Sequence, residues 1–318
     1  MTRFRIWNVL RKTALIVLLP LLIWCVFALH FILFNENTLL TGIAGILFCG
    51  LWLLSLFVKK AIFVPLGMAL VILTGFCALT PAYRFSKVKW QTPWQRRPRA
   101  VLLGGNKIKF YDVRDFRYES ESKMIVRYKD MIFDLDDLRS VDLALSHWDG
   151  LEMVAHTMLA FNFAKSPTLV LSLETRIPEG KTQSAVAGLF KQYEIIPVLG
   201  TEEDIFDLRI KYRGEDFYRY RTRTTREQAR KLLQAVAFYV NGRPRFYNTL
   251  TRNCSTGLLP FLRVLRLDPI EDIRLVINGY SDQLMYRLGY LEHDEGESFA
   301  SLRHRSYVPG KSRGTPAK

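Results

Sequence analysis

TALIVLLPLLIWCVFALHFILF, residues Thr13–Phe34, runs without a single Asp, Glu, Lys or Arg. A hydrocarbon core about 30 Å thick is crossed by roughly 20 helical residues, so this stretch is long enough to span a bilayer. Two similar stretches follow: LLTGIAGILFCGLWLLSLFV, Leu39–Val58, and AIFVPLGMALVILTGFCALT, Ala61–Thr80. The first is too long for the apolar region of a cleaved leader, and two more come after it, so three transmembrane helices are expected. Residues 1–83 are therefore read as a membrane anchor with spans at about 13–34, 39–58 and 61–80.

Cations at the span ends set the orientation. Arg3, Arg5, Arg11 and Lys12 precede the first span, and Lys59 and Lys60 separate the second from the third. Asn35-Glu36-Asn37, between the first and second, has no positive charge. This pattern places the N-terminus and the Lys59–Lys60 turn in the cytoplasm. Everything after the third span then lies on the far side, as a multi-pass protein of a bacterial inner membrane with its C-terminal domain in the periplasm. Arg84, Lys87, Lys89, Arg96, Arg97 and Arg99 crowd the exit of the third span and oppose this rule, but long domains translocate largely regardless of charge.

The remainder is polar and basic. Of the chain's 318 residues, 45 are Lys or Arg and 30 are Asp or Glu, a formal net charge of +15. Such a charge draws polyanions, and beside a membrane anchor the anionic lipid headgroup is the nearest one. Nothing resembles an aromatic RNA-binding signature or paired zinc ligands, so nucleic acid is not an expected partner. No His, Cys, Asp or Glu cluster has metal-ligand spacing, and no cofactor is expected.

Residues 84–104 read as a basic linker, 105–302 as the soluble domain and 303–318 as a basic, disordered tail. Within the domain, Lys107–Tyr111 and Lys123–Phe133 suit strands or an irregular lead-in, and Thr168–Glu174, Tyr193–Leu199, Asp204–Tyr212 and Asp216–Thr222 suit strands. Asp134–Leu145 reads as a short helix or loop. Thr224-Thr225-Arg226-Glu227 fits a capping box ahead of Leu232, Leu233, Val236, Ala237 and Val240 at helical spacing, with Asn241-Gly242 as the stop. Gly257–Leu265 is apolar enough for a second helix.

Of four cysteines, Cys25, Cys49 and Cys77 lie in the apolar stretches and only Cys254 lies in the soluble part. No disulfide framework is available to that domain within one chain. Cys254 follows the polar run Asn248-Thr249-Leu250-Thr251-Arg252-Asn253 and precedes an apolar helical stretch. At a helix start, backbone N–H groups favour a thiolate and could stabilise an oxyanion. The competing role is that of a small buried hydrophobe. Among histidines of the soluble part, His304 lies in the tail, His293 among acids and His147 in a turn. His156, in the most apolar stretch, is the candidate base, and Glu174 is the candidate to orient it, with Gln192, Tyr193 and Glu194 in reserve.

The ordered set His156-Thr157-Met158-Leu159, Ser172-Leu173-Glu174-Thr175-Arg176, Gln192-Tyr193-Glu194 and Tyr247–Cys254, preceded by Asp112–Tyr118 and Phe133-Asp134-Leu135, resembles the DUF4105 family. That family is also described as the N-terminal periplasmic domain of Lnb, a lipoprotein N-acyltransferase. The resemblance covers roughly residues 105–265. The family is itself similar to circularly permuted NlpC/P60 (papain-like) thiol enzymes, in which the histidine precedes the cysteine. The resemblance implies Cys254 as nucleophile and His156 as base.

It also implies an α+β permuted NlpC/P60 fold after three N-terminal transmembrane helices. The expected activity is a cysteine acyltransferase or lipid acyl hydrolase working through a Cys254 acyl-thioester in lipoprotein N-acylation. Its partners would be a phospholipid or lipoprotein acyl donor and acceptor. Two other readings stay open: a cell-wall peptidase or amidase, and a non-catalytic membrane-tethered binding module. This chain departs from the family in carrying its spans before the domain.

Overall fold

The computed structural model describes residues 2–78, 88–147, 150–264 and 272–310. They divide into two compact units, Met1–Val88 with Ser184–Gln192, and Lys89–Gln183 with Tyr193–Lys318.

The first unit is helical: α1 (Thr2–Ala28), α2 (Thr38–Phe57) and α3 (Phe63–Ala78), with a π-helical turn Leu29–Leu33 extending α1. Three segments are long and apolar enough to cross a membrane: Lys12–Leu33, Thr38–Phe57 and Lys60–Cys77. The expected last residues of the third span, up to Thr80, and Arg84 and Lys87 fall outside the described residues. Leu18, Leu22, Cys25, Phe48 and Ala69 make the buried seam. Lipid cannot replace a lost hydrogen bond, and the polar groups are matched internally. Trp52 Nε1 donates to the Leu15 carbonyl at 3.0 Å, His30 Nδ1 meets Thr41 Oγ1 at 2.7 Å, and Asn37 Oδ1 accepts from the Leu40 amide at 3.1 Å to start α2. Outward-facing Ile16, Ile46 and Phe57 are 73%, 76% and 82% exposed, the distribution expected of surfaces that meet acyl chains rather than water. The segment Ser184–Gln192 belongs to this unit through Phe190, whose ring lies 5.8 Å from Trp24, 5.4 Å from Phe31 and 6.3 Å from Phe76.

The second unit is α+β. Its strands are β1 (Arg99–Leu103), β2 (Lys107–Arg114), β3 (Arg117–Tyr118), β4 (Met124–Ile125), β5 (Tyr128–Asp134), β6 (Leu138–His147), β7 (Ala155–Phe163), β8 (Leu169–Arg176), β9 (Glu194–Gly200), β10 (Asp216–Arg221), β11 (Arg245–Phe246) and β12 (Tyr307–Val308). Its helices are α4 (Glu202–Asp207), α5 (Arg226–Val240), α6 (Leu259–Val264), α7 (Ser281–Arg287) and α8 (Phe299–Ser306). Among the described residues, ten strands form a mixed sheet with the order β1-β2-β9-β8-β7-β6-β10-β12, with β5 on β2 and β11 on β9. Strand alternation sends odd-numbered residues of β6–β8 to one face and even-numbered ones to the other. The odd face packs Val141, Phe161, Leu171 and Leu173 against Leu232, Leu233, Val236 and Val240 of α5. The even face packs Ala144, Met158, Val170 and Val198 against Ile205 and Phe206 of α4.

Several expectations are corrected here. The capping box is one residue later than expected: Thr225 caps α5, its Oγ1 accepting from the Gln228 amide while Gln228 Oε1 accepts from Thr225 N–H. Asp204–Tyr212 is not a strand but α4 and a π-helical continuation, Leu208–Arg213. Its apolar residues satisfy either period over so short a run, and Asp204 is needed inward (below). Asp134–Leu145 holds no helix; it turns into β6, buried between β7 and β10. Order begins before residue 105, with Lys89 and β1 inside the unit. It also continues into the expected tail: Ser306 is buried and β12 pairs with β10, while residues 311–318 lie outside the described part.

Candidate functional site

Cys254 sits where a loop becomes a helix. Asn253 Oδ1 accepts from the amides of Ser255 and Thr256, both at 3.0 Å, and from Thr256 Oγ1 at 3.2 Å. This cap starts the 3-10 turn Thr256–Leu258, which runs into α6. Gly257 lets the turn lie on the sheet, because a Cβ there would come within 2.7 Å of Leu173 Cδ1. The expectation of a cysteine at a helix start thus holds locally.

The thiol lies against β7. Cys254 Sγ is 3.8 Å from the Ala155 carbonyl oxygen, and the Thr157 amide also favours its anionic form. In a strand, the carbonyl of one residue and the amide two residues on point to the same edge. The sulfur therefore sits beside the backbone of His156, at an edge of β7 that β8 has left, since the β7–β8 pairing begins only at Met158↔Ser172. Burial pushes the thiol upward from its ordinary range, while the amides of Thr157, Ser255 and Cys254 and the Ser255 side chain oppose that shift. The resting species is the thiol.

Asn278 holds the same edge. Its Oδ1 accepts from the Ala155 amide at 3.0 Å, and its Nδ2 donates to the Ala155 carbonyl at 2.5 Å and to Cys254 Sγ at 3.2 Å. The amide side chain takes the place of a neighbouring strand and brings a donor to the sulfur. Gly279 is required next to it, because a Cβ would fall 1.8 Å from the Glu152 carbonyl oxygen.

His156 points to the even face, into a buried polar chain. Its Nε2 meets Ser172 Oγ at 2.7 Å, and Ser172 Oγ donates to Glu174 Oε1 at 3.0 Å. A carboxylate only accepts, so the serine proton belongs to Glu174 and Nε2 must carry the imidazole proton. Nδ1 is left with its lone pair. Glu174 is held by Trp94 Nε1 at 2.6 Å, Arg114 at 3.4 Å and Arg209 at 3.7 Å. Arg114 in turn donates from Nε to both oxygens of Asp204, at 3.0 and 2.9 Å. Asp204 also accepts from the Phe116 amide at 2.8 Å and Tyr118 OH at 3.1 Å.

Burial, reinforced by Arg209, presses His156 down to about 3, so the imidazole is neutral at pH 7. Glu174 is buried too, yet Arg114 and Arg209 hold it at about 2. These shifts make stability depend on pH. Between the ordinary histidine value, 6.5, and about 3, an unfolded chain binds a proton at residue 156 that the folded one refuses. Stability therefore falls on acidification by up to about 1.4 kcal/mol per pH unit in that window. Glu174 adds a second loss as pH drops from 4.5 towards 2. Denaturant midpoints at pH 7 and pH 5 check this: a lower midpoint at pH 5 is expected, with a smaller drop in His156→Gln. Equal wild-type midpoints would mean that the imidazole is solvated.

His156 and Glu174 are thus brought together through Ser172, while among the described residues no hydrogen bond joins Cys254 to His156. The reserve candidates lie elsewhere: Gln192 belongs to the helical unit, Tyr193 OH donates to the Thr182 carbonyl at 2.8 Å, and Glu194 pairs with Arg176 at 2.9 Å. His147 is not in a turn but at the end of β6, buried, with Nε2 3.0 Å from the Gly279 carbonyl oxygen. Among the described residues no group of three His, Cys, Asp or Glu could hold a metal ion. Sequence reasoning missed Asn278, Arg114, Arg209 and Trp94. Only Asn278-Gly279 carries a local signal, and that signal is for a turn.

Residues 126–279 match the family model described as the Lnb N-terminal periplasmic domain. The match ends at Gly279, beyond the 265 expected, and so includes Asn278. No curated protein and no solved structure gives a significant match.

Proposed function

We propose that this chain, a member of the Lnb N-terminal periplasmic domain family over residues 126–279, is a membrane-anchored cysteine acyltransferase of the bacterial envelope. The observations that support the reading are the chain Glu174–Ser172–His156, which holds a neutral imidazole with Nδ1 unprotonated, and the position of Cys254 Sγ against the Ala155 carbonyl, one residue along β7 from that histidine. Cys254 attacks the ester carbonyl of a phospholipid or of a lipoprotein's glyceride. His156 Nδ1 takes the thiol proton, and the tetrahedral oxyanion draws on Asn278 Nδ2 and the Cys254 amide. Collapse breaks the ester C–O bond, the alkoxide leaves with the proton from His156, and Cys254 holds the acyl group as a thioester. An amine then attacks, His156 accepts its proton and returns it to sulfur, and the acyl group ends as an amide. Water in place of the amine would release a fatty acid.

The direct test is intact mass of the full chain in phospholipid vesicles. A single acyl addition on Cys254, removed by neutral hydroxylamine and absent from Cys254→Ala, is expected. Release of muropeptides from purified cell wall, with no acyl addition, would transfer the assignment to the peptidase reading and its papain-like permuted NlpC/P60 chemistry. No turnover of either substrate would leave a binding module.

The charge pattern around α1–α3 supports an inner-membrane, multi-pass topology with the domain in the periplasm, the basic residues at its start meeting anionic headgroups. Trypsin added to spheroplasts should digest the domain. Protection until the spheroplasts are lysed would put it in the cytoplasm.

A further inference from the structure

A cavity of about 120 Å³ lies inside the second unit, on the odd face of the sheet. Thr157 and Ser255 line it, and their hydroxyls hydrogen-bond at 2.8 Å. These two residues adjoin His156 and Cys254 in sequence, so one end of the cavity abuts the candidate site. The walls are apolar: Leu143, Leu159, Leu258, Phe261, Met285 and Leu291. The register shows its direction. Thr157 lies opposite Leu145, Leu159 opposite Leu143 and Phe161 opposite Val141, and Val141 also lines the cavity. From Thr157 to the level of Val141 is four residues, about 13 Å of strand. Near that far end stand Thr222, which donates to the Val141 carbonyl, and then Thr224 and Gln228, polar like Thr157, Ser255 and Ser281 elsewhere in the lining.

Apolar walls left without a partner in such a pocket cost free energy that an apolar occupant would recover. Between its polar ends the wall of Leu143, Leu159, Leu258, Phe261, Met285 and Leu291 offers water no hydrogen-bond partner, and apolar surfaces of this kind accept apolar guests. Among the described residues the lining carries no Asp, Glu or Lys, and its one charged member among them, Arg223, reaches with Nη2 to the His293 carbonyl at 3.1 Å. A charged peptide would find no counter-groups there, whereas an alkyl chain needs none. Met285, unbranched and adaptable, suits a wall that meets chains of differing saturation.

We infer that this cavity is the acyl-chain site of the enzyme: it receives the fatty tail of the group whose carbonyl carbon lies at Cys254, running along β6 and β7 from Thr157 towards Val141. The occupant rests on the acyl-transfer reading, but its binding can be measured without that chemistry. The full-length Cys254→Ala chain, in phospholipid nanodiscs, is irradiated with a palmitic acid analogue bearing a mid-chain diazirine, and modified residues are mapped by peptide mass spectrometry. Within the second unit, crosslinks should fall on Leu143, Leu159 and Met285. Leu159→Trp, which fills the cavity, should abolish them, as should Met285→Trp from the opposite wall, each checked for an unchanged far-ultraviolet spectrum and unfolding midpoint. Crosslinks confined to other parts of this unit, or cavity crosslinks that survive both fillings, would overturn the inference. Because the probe forms no thioester, the map decides the cavity by itself. A correct map with no acyl addition in the wild type would refute the catalytic reading alone.

Discussion

Arg114→Leu is expected to destabilise the domain by about 3–5 kcal/mol, the range for removing one member of a buried ion pair. Arg114 is 3% exposed, and its guanidinium is the main counter-charge for two carboxylates, Asp204 at 0% and Glu174 at 7%. Truncation would strand both in the core. Asp204 would keep the Phe116 amide and Tyr118 hydroxyl, and Glu174 would keep Trp94 and Arg209. The loss should therefore fall within that range rather than prevent folding. Chemical denaturation of the full chain in detergent, followed by tryptophan fluorescence, reads the effect. Arg114→Leu combined with Asp204→Leu should recover part of it, because the stranded charge goes with its partner. A change below about 1 kcal/mol, the scale of an exposed pair, would mean that water reaches the network.

His156→Ala is expected to slow acylation of Cys254 by about 10²–10⁴, the usual contribution of a positioned general base. The direction follows from the resting state. Burial keeps Cys254 protonated and His156 neutral, so there is no standing ion pair and the proton must move as sulfur attacks. Ser172→Ala should cost less, because it removes only the hydrogen bond that fixes the ring and its tautomer. The measurement is the rate of hydroxylamine-sensitive acyl addition, resolved in time by intact mass. An unchanged rate in His156→Ala would move the base role to His147, whose side chain shares a face with Ala155, its partner across β6 and β7.

Much of the molecule was readable along the chain. Uninterrupted apolar runs locate α1–α3, because a bilayer excludes charge wherever it sits in the fold. Helix α5 is legible because five apolar residues recur on one stripe and a polar Thr and an Asn-Gly bracket them. Asn253 before Cys254 signals a cap, which is a local hydrogen-bonding device. Period two alone puts Ser172 and Glu174 on one face of β8. What the chain order does not contain is the register that sets Met158 against Ser172, and so brings His156 to that serine rather than to another hydroxyl. Glu174 stays ionised in the core only because Arg114, Trp94 and Arg209, distant in sequence, surround it. Asp204–Tyr212 has apolar residues that suit a strand, yet it folds as helix because Asp204 must turn inward to Arg114. Asn278 reaches the thiol through long-range packing that Gly279 permits, and the cavity beside Ser255 exists only between a sheet and helices far apart in the chain. Local patterns act through hydrophobicity and capping within a few residues. The buried charges, the tautomer of His156 and the shape of the void depend on which distant side chains exclude water from the same place, and that was decided by the tertiary structure alone.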